Sequence, residues 1–188
     1  MPIYFNLEDL RNEYNCKNYF ETGMWDPESP HVSIHNALRA NFDTIHTIEI
    51  KQEWVNKAKV IFDSQKLNVY LDDSINLNKY LKHSCFIDKT LFFLDAHIDN
   101  CFREDCIKYK IKTPLIEELN AIKELSRNDN IILIDDIRII VSSKWGEEKY
   151  RNINLLDVIK NKILEINPEY KFKYLDGEIK KDVLCAYV

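Results

Sequence analysis

Two apolar runs constrain this chain more than anything else in it. TLFFL at 90–94 and NIILI at 130–134 are almost unbroken by polar residues, and each is followed at once by aspartate, Asp95 in one case and Asp135-Asp136 in the other. A strand that is apolar on both faces must be covered on both faces, as in a parallel sheet held between two helical layers. A helical pattern at 115–126 separates the two runs, and the same rhythm recurs elsewhere. Residues 18–21 read as a short strand and 31–40 as a helix. TIHTIEI at 44–50 alternates and is β-branched, which suits a strand. The segment 51–64 carries Trp54, Val55, Ala58, Ile61 and Phe62 on one helical face. A strand at 68–71, a short helix at 75–81 and an amphipathic helix at 155–166 follow. A terminal strand pair at 172–175 and 183–188 is joined through Asp176-Gly177. Strands alternating with helices predict an α/β fold with a mainly parallel sheet.

The chain has 188 residues, the size of one domain, and its three glycines and five prolines form no linker, so residues 1–188 are expected to be a single unit. A net charge of −5 argues against nucleic acid as a partner, because backbone phosphates need a basic face. The five cysteines, Cys16, Cys85, Cys101, Cys106 and Cys185, form no CxxC pair, which speaks against a zinc ribbon or redox dithiol and for a reducing compartment. The start MPIYFNLEDL does not read as a signal peptide, and no apolar run approaches the roughly 20 residues that span a bilayer. A cytoplasmic protein without membrane contact is expected, in the host cytoplasm if the source is viral.

In open α/β sheets ligands bind beyond the carboxyl ends of the strands. The residues there are Glu21-Thr22-Gly23, Glu49, Asp72-Asp73-Ser74, Asp95-Ala96-His97 and Asp135-Asp136, so nearly every strand end carries an acid. A glycine turn in FETGMWDPES can bring backbone N–H groups to a ligand, or be an ordinary tight turn. Glu49 can accept both ribose hydroxyls of an adenosine-containing cofactor, or simply be solvated. Asp72 or Asp73 can take an adenine amino group with Ser74 beside it, or cap the next helix. Asp95, Asp135 and Asp136 repel one another unless protonated or bound to a hard cation such as Mg²⁺ or Mn²⁺; alternatively Asp136 turns away to Arg138. His97 can be a general base, a further metal ligand or a satisfied surface histidine. The polar stretch 98–113 suits a substrate loop offering Asp99, Arg103 and Glu104, and Trp145 suits a loop anchor.

Taken together, these residues resemble the class I S-adenosylmethionine-dependent methyltransferases, over most of the chain from about Asn18 onward. The closer likeness is to metal-dependent O-methyltransferases acting on catechols and on sugars, and to compact methyltransferase domains of phage and large-virus glycan-modifying proteins. It rests chiefly on FFLDAH (92–97) and ILIDDIR (132–138), separated by TPLIEEL (113–119). The resemblance implies a Rossmann-like, doubly wound sheet of seven strands with the C-terminal strand reversed. It places Mg²⁺ or Mn²⁺ on Asp95, Asp135 and Asp136, and a general base at His97 with Asp95 beside it in the catalytic site. It places S-adenosyl-L-methionine along Glu21, Thr22, Gly23, Ser29, Glu49, Asp72, Asp73, Ser74 and Asp95. Two positions depart from the family pattern: Pro27 stands where a second glycine is usual, and Asp72 replaces the glycine of the second motif.

The expected activity is methyl transfer to a hydroxyl of a small-molecule or glycan acceptor, with a homodimer as an allowed assembly. Three other classes compete. A nucleotide-dependent oxidoreductase would normally show a fuller glycine fingerprint. A non-catalytic adenosyl- or nucleotide-binding module could keep the fold without turnover. A metal-dependent hydrolase would use the acids alone.

Overall fold

The computed structural model describes residues 3–97, 113–142 and 154–188. In chain order these form α1 (Leu7–Tyr14), β1 (Asn18–Thr22), α2 (Ser33–Arg39), β2 (Thr44–Glu49), α3 (Gln52–Ile61), β3 (Leu67–Leu71), two 3₁₀ turns (Ser74–Lys79 and Ser84–Ile87), β4 (Thr90–Leu94), α4 (Leu115–Lys123), β5 (Ile131–Ile134), α5 (Ile137–Val141), α6 (Leu155–Ile166), β6 (Lys171–Leu175) and β7 (Val183–Tyr187). The strands make one seven-stranded sheet in the order β3-β2-β1-β4-β5-β7-β6. β1 to β5 are mutually parallel, and β7 runs antiparallel to both of its neighbours, β5 and β6. The seven-stranded, doubly wound sheet with a reversed last strand is therefore present.

The two apolar runs explain the layering. Every residue of β4 is buried, with Phe92 and Leu94 facing the layer of α4 and α6, while Leu91 and Phe93 face the layer of α1 and α2. β5 behaves alike, sending Ile132 and Ile134 to one core and Ile131 and Leu133 to the other. A helix on each side is what a strand with two apolar faces requires. β2 is buried on both faces despite its alternating sequence. Its buried imidazole, His46, is accommodated by contacts of 2.9 Å to the Tyr70 hydroxyl and 3.1 Å to the Thr44 hydroxyl.

Elsewhere the local chemistry shifts boundaries. The segment expected as a short helix at 75–81 is a 3₁₀ turn over Ser74–Lys79, broken by non-helical dihedrals at Asn76. The Asp73 carboxylate accepts from Ile75 N at 3.1 Å, so an Asx cap sets a tighter entry than an α-helix allows. Two further helices lie outside the sequence reading, α1 and the five-residue α5. Asn6 caps α1 by accepting from Glu8 N at 2.8 Å, and Asn15 ends it in the left-handed conformation. Among the described residues no helix is long and apolar enough to cross a membrane.

Candidate active site

The parallel ladder runs one residue past the strands. Gly23 N donates to Ile48 O at 2.9 Å, Asp95 N to Thr22 O at 3.1 Å, Asp135 N to Leu94 O at 3.3 Å, and Asp72 N to Glu49 O at 3.3 Å. These bonds hold Gly23, Glu49, Asp72, Asp95 and Asp135 side by side along the carboxyl edge. The acids that follow the strands in sequence are thus neighbours in space.

Gly23 makes the sharpest demand on that edge. Its φ is +80°, and a Cβ built there would lie 2.8 Å from the Ala96 Cα and 3.0 Å from the Asp95 carbonyl carbon. Only glycine allows the β1 turn to pass this close to the segment leaving β4. Two residues on, Trp25 also adopts a positive φ of 66°, and its N–H donates to the Glu49 carboxylate at 2.9 Å. Pro27 is buried within this turn, and Ser29 N donates to Asp26 O at 3.0 Å.

The residues expected around adenosine differ in how far they are engaged. The second oxygen of Glu49 accepts from Lys51 N at 2.9 Å, so both carboxylate oxygens are already bonded to backbone. Burial raises the Glu49 carboxyl above its usual range, and those N–H groups oppose the rise. Asp72 is engaged more fully, accepting from Asp73 N, Asn76 Nδ2, Lys79 Nζ and the Tyr80 hydroxyl at 2.8 to 3.1 Å. Burial pushes its carboxyl up, but the Tyr80, Asn76 and Lys79 bonds prevail and hold it low. Ser74 is buried at the start of the 3₁₀ turn. Glu21 and Thr22 have no exposed surface; Glu21 accepts from the Ser33 hydroxyl, and burial, with Asp95, Glu49 and Asp135 nearby, raises its carboxyl well above the usual range.

Asp95, Asp135 and Asp136 are all buried, and they fall into two overlapping groups. Asp95, His97 and Asp136 bring one ligand atom each within 4.8 Å of one another, and Asp135, Asp136 and Asp182 do the same. Asp136 is common to both. It is held in the left-handed region at φ 59° and has no exposed surface. One oxygen meets Arg138 Nη1 at 2.8 Å, and the other faces His97 Nε2 at 3.5 Å. The Arg138 pairing expected to compete with metal binding therefore exists beside an oxygen that faces His97. Arg138 also pairs with Asp182 and with Glu178.

His97 lies 3.0 Å by its Nδ1 from the Asp95 backbone oxygen. A carbonyl can only accept, so Nδ1 carries the hydrogen, and the neutral ring keeps its lone pair on Nε2. Asp135 accepts from Asp136 N at 2.8 Å on one oxygen, while its other oxygen is buried with no hydrogen-bond partner among the described residues. Burial, with Asp95 and Asp136 adding to it, pushes the Asp135 carboxyl up to about 8. Crowded, desolvated carboxyls with an orphaned oxygen are what a hard cation relieves, so these residues fit Mg²⁺ or Mn²⁺.

Two acids of this region carry no sequence expectation. Asp182 is 1% exposed in the connection before β7 and accepts from Arg138 N at 2.9 Å, and nothing in its local sequence marks it. Glu118 is fully buried on α4, where burial pushes its carboxyl up to about 8. Its spacing from Leu115, Leu119 and Ile122 put it on the apolar stripe, a signal legible in the sequence. Asp99, Arg103, Glu104, Cys101, Cys106 and Trp145 lie outside the described residues.

No protein-family model and no curated protein matches the sequence. Solved structures do. An O-methyltransferase from Bacillus cereus in complex with S-adenosylhomocysteine is 14% identical, with a TM-score of 0.62 over 97% of this chain and 78% of that one. An O-methyltransferase of tomaymycin synthesis from Streptomyces achromogenes, solved with S-adenosylmethionine, is 14% identical, with a TM-score of 0.55 over 97% of this chain and 77% of that one. Spermidine synthase from Thermotoga maritima is 10% identical, with a TM-score of 0.53 over 98% of this chain and 58% of that one. The chain has the Rossmann-like fold of class I methyltransferases, reversed β7 included.

Proposed function

We propose that the chain is an S-adenosylmethionine-dependent O-methyltransferase that uses a divalent metal and acts on a hydroxyl of a small molecule, of the sugar or glycan class. The observation that carries this reading is the in-register edge, where Gly23, Glu49, Asp95 and Asp135 stand side by side with His97 between Asp95 and Asp136. The comparisons support it through neighbours crystallised with S-adenosylmethionine or S-adenosylhomocysteine.

The Gly23 turn and Glu49 bind the adenosyl cofactor at the switch between β1 and β4. Asp136, shared by the Asp95–His97–Asp136 and Asp135–Asp136–Asp182 groups, would hold the cation with Asp95 on one side and Asp135 on the other. A bound Mg²⁺ or Mn²⁺ supplies Lewis acidity that lowers the pKa of the acceptor hydroxyl. His97 receives the hydroxyl proton on Nε2, and Asp95 and Asp136 stabilise the imidazolium that results. A bound S-adenosylmethionine would supply the methyl group, its carbon–sulfur bond breaking to leave a neutral thioether as the acceptor oxygen took the carbon. The site's part is to align oxygen, carbon and sulfur.

The pairing of Asp136 with Arg138, which competes with a cation for that carboxylate, favours a second reading, a non-catalytic adenosyl-binding module. Calorimetry and thermal shift with S-adenosylhomocysteine, with and without Mn²⁺, test both. S-adenosylhomocysteine is expected to raise the melting temperature and Mn²⁺ to raise it further, because each binds the native state. Absence of binding at millimolar S-adenosylhomocysteine overturns both readings. Binding that Mn²⁺ leaves unchanged favours the module.

A further inference from the structure

Residues 115, 118, 119 and 122 share one face of α4, and three of them, Leu115, Leu119 and Ile122, are core residues. The fourth is Glu118. It has no exposed surface, and neither carboxyl oxygen has a hydrogen-bond partner among the described residues. Burying a carboxyl without partners costs on the order of several kcal/mol even when it is neutral, so such a group is rarely retained without an occupant to satisfy it.

Its surroundings say which occupant. The Ser74 and Thr22 hydroxyls lie close enough to favour its charged form and oppose the rise, though neither reaches good hydrogen-bond geometry, and Asp73 and Glu117 are its acidic neighbours. Thr22 Oγ1 is itself buried without a partner. Polar atoms with unused capacity therefore converge between the end of β1 and the turn after β3, which is where the adenosine half of the cofactor is proposed to sit. The acids of that turn are committed elsewhere: Asp72 holds four bonds within its own loop, and Asp73 caps Ile75.

We propose that Glu118 reads the base of the adenosyl cofactor, its carboxyl pairing with the hydrogen-bonding edge of adenine beside Thr22 and Ser74. A protonated carboxyl presents one donor and one acceptor side by side, and adenine presents an amino donor next to a ring-nitrogen acceptor. The two patterns are complementary. Burial keeps the carboxyl in the protonated form at neutral pH. The edge in question is N6/N7, where hypoxanthine presents two acceptors, O6 and N7, in place of a donor and an acceptor, and so mismatches. The inference rests on the adenosyl-cofactor reading above.

Calorimetry of the full chain with S-adenosylhomocysteine and with S-inosylhomocysteine tests it, on wild type, E118Q, E118M and E118D. Wild type is expected to prefer the adenosyl ligand by about 10- to 100-fold, the range of one matched bidentate pair. E118Q keeps a donor and an acceptor side by side and is expected to retain that preference within about 3-fold. E118M is expected to lose about 10-fold or more in S-adenosylhomocysteine affinity and to bind the two bases nearly alike. E118D keeps the acid but withdraws it by one methylene, so its preference should also fall. A merely structural role would weaken both ligands equally and leave their ratio untouched. Wild type that binds S-adenosylhomocysteine, with E118M and E118D keeping the full preference, overturns the inference alone. Wild type that binds neither ligand overturns the cofactor reading and this inference with it.

Discussion

The backbone of Gly23 passes so close to Ala96 that any Cβ at position 23 would lie 2.8 Å from the Ala96 Cα. The contact is backbone against backbone, so no flexible side chain can yield to relieve it. The φ of +80° adds a second cost for any L-residue. Gly23→Ala is expected to destabilise the protein by about 2–4 kcal/mol, the sum of a left-handed penalty and a core overlap. Because the displaced segment carries Asp95, the variant should also lose S-adenosylhomocysteine and Mn²⁺ binding. Urea unfolding and calorimetry measure both, and a loss of stability below about 0.5 kcal/mol contradicts the close approach.

The buried acids trade stability for cation binding. Asp135 keeps one oxygen on Asp136 N and leaves the other without a partner, beside Asp95 and Asp136. Asp135→Asn preserves the first bond and removes a charge that burial and its neighbours oppose. The metal-free variant is expected to melt higher than wild type at pH 8.5, by a few degrees, while losing the Mn²⁺-induced shift. A variant that melts lower, or that still responds to Mn²⁺, counts against the site.

Much of this architecture was readable from the residues, and the failures have physical reasons. β4 and α6 fall where the sequence places them, because an unbroken apolar run and a clean amphipathic period each admit one structure. The edge acids were legible because a parallel sheet presents all its strand ends on one side. α1 was missed although Asn6, Glu8 and Asp9 form a capping pattern before LRNEY; eight residues with only Leu7 and Leu10 buried give a weak period. Asp182 was illegible because its place beside Asp136 comes from the antiparallel return of β7, a long-range event. Glu118 was legible as an acid on an apolar stripe, but only packing shows that its oxygens lack partners.

Stability should fall as pH rises, and Glu118 should account for part of the fall. Its folded carboxyl is raised from an ordinary 4.5 to about 8 by burial. A raised folded value means that the protonated form is favoured by folding. The contribution is therefore complete below about 4.5 and is lost as pH climbs through about 8. A shift of this size corresponds to on the order of 5 kcal/mol. E118Q has no proton to lose, so its melting temperature should decline less than that of wild type between pH 6 and pH 9. Parallel declines in the two proteins would mean that other buried acids, Glu21 among them, carry the whole effect.

His97 separates a base from a ligand. With Nδ1 donating to the Asp95 carbonyl at 3.0 Å, Nε2 presents its lone pair toward an Asp136 oxygen 3.5 Å away. A lone pair facing a carboxylate is repulsive until a proton or a cation stands between them, so the geometry suits a ring about to gain a proton. The two roles differ in what the metal feels. As a base, His97 can be replaced by Ala with the Mn²⁺-induced rise in melting temperature intact, while turnover on an accepted hydroxyl substrate falls by about 10²- to 10⁴-fold. As a ligand, the same replacement weakens Mn²⁺ by about 10-fold or more. The proposed mechanism requires the first outcome. A pH–rate profile adds a second check, since wild-type turnover should fall toward low pH as the ring is protonated, and His97→Ala should lose that acidic limb.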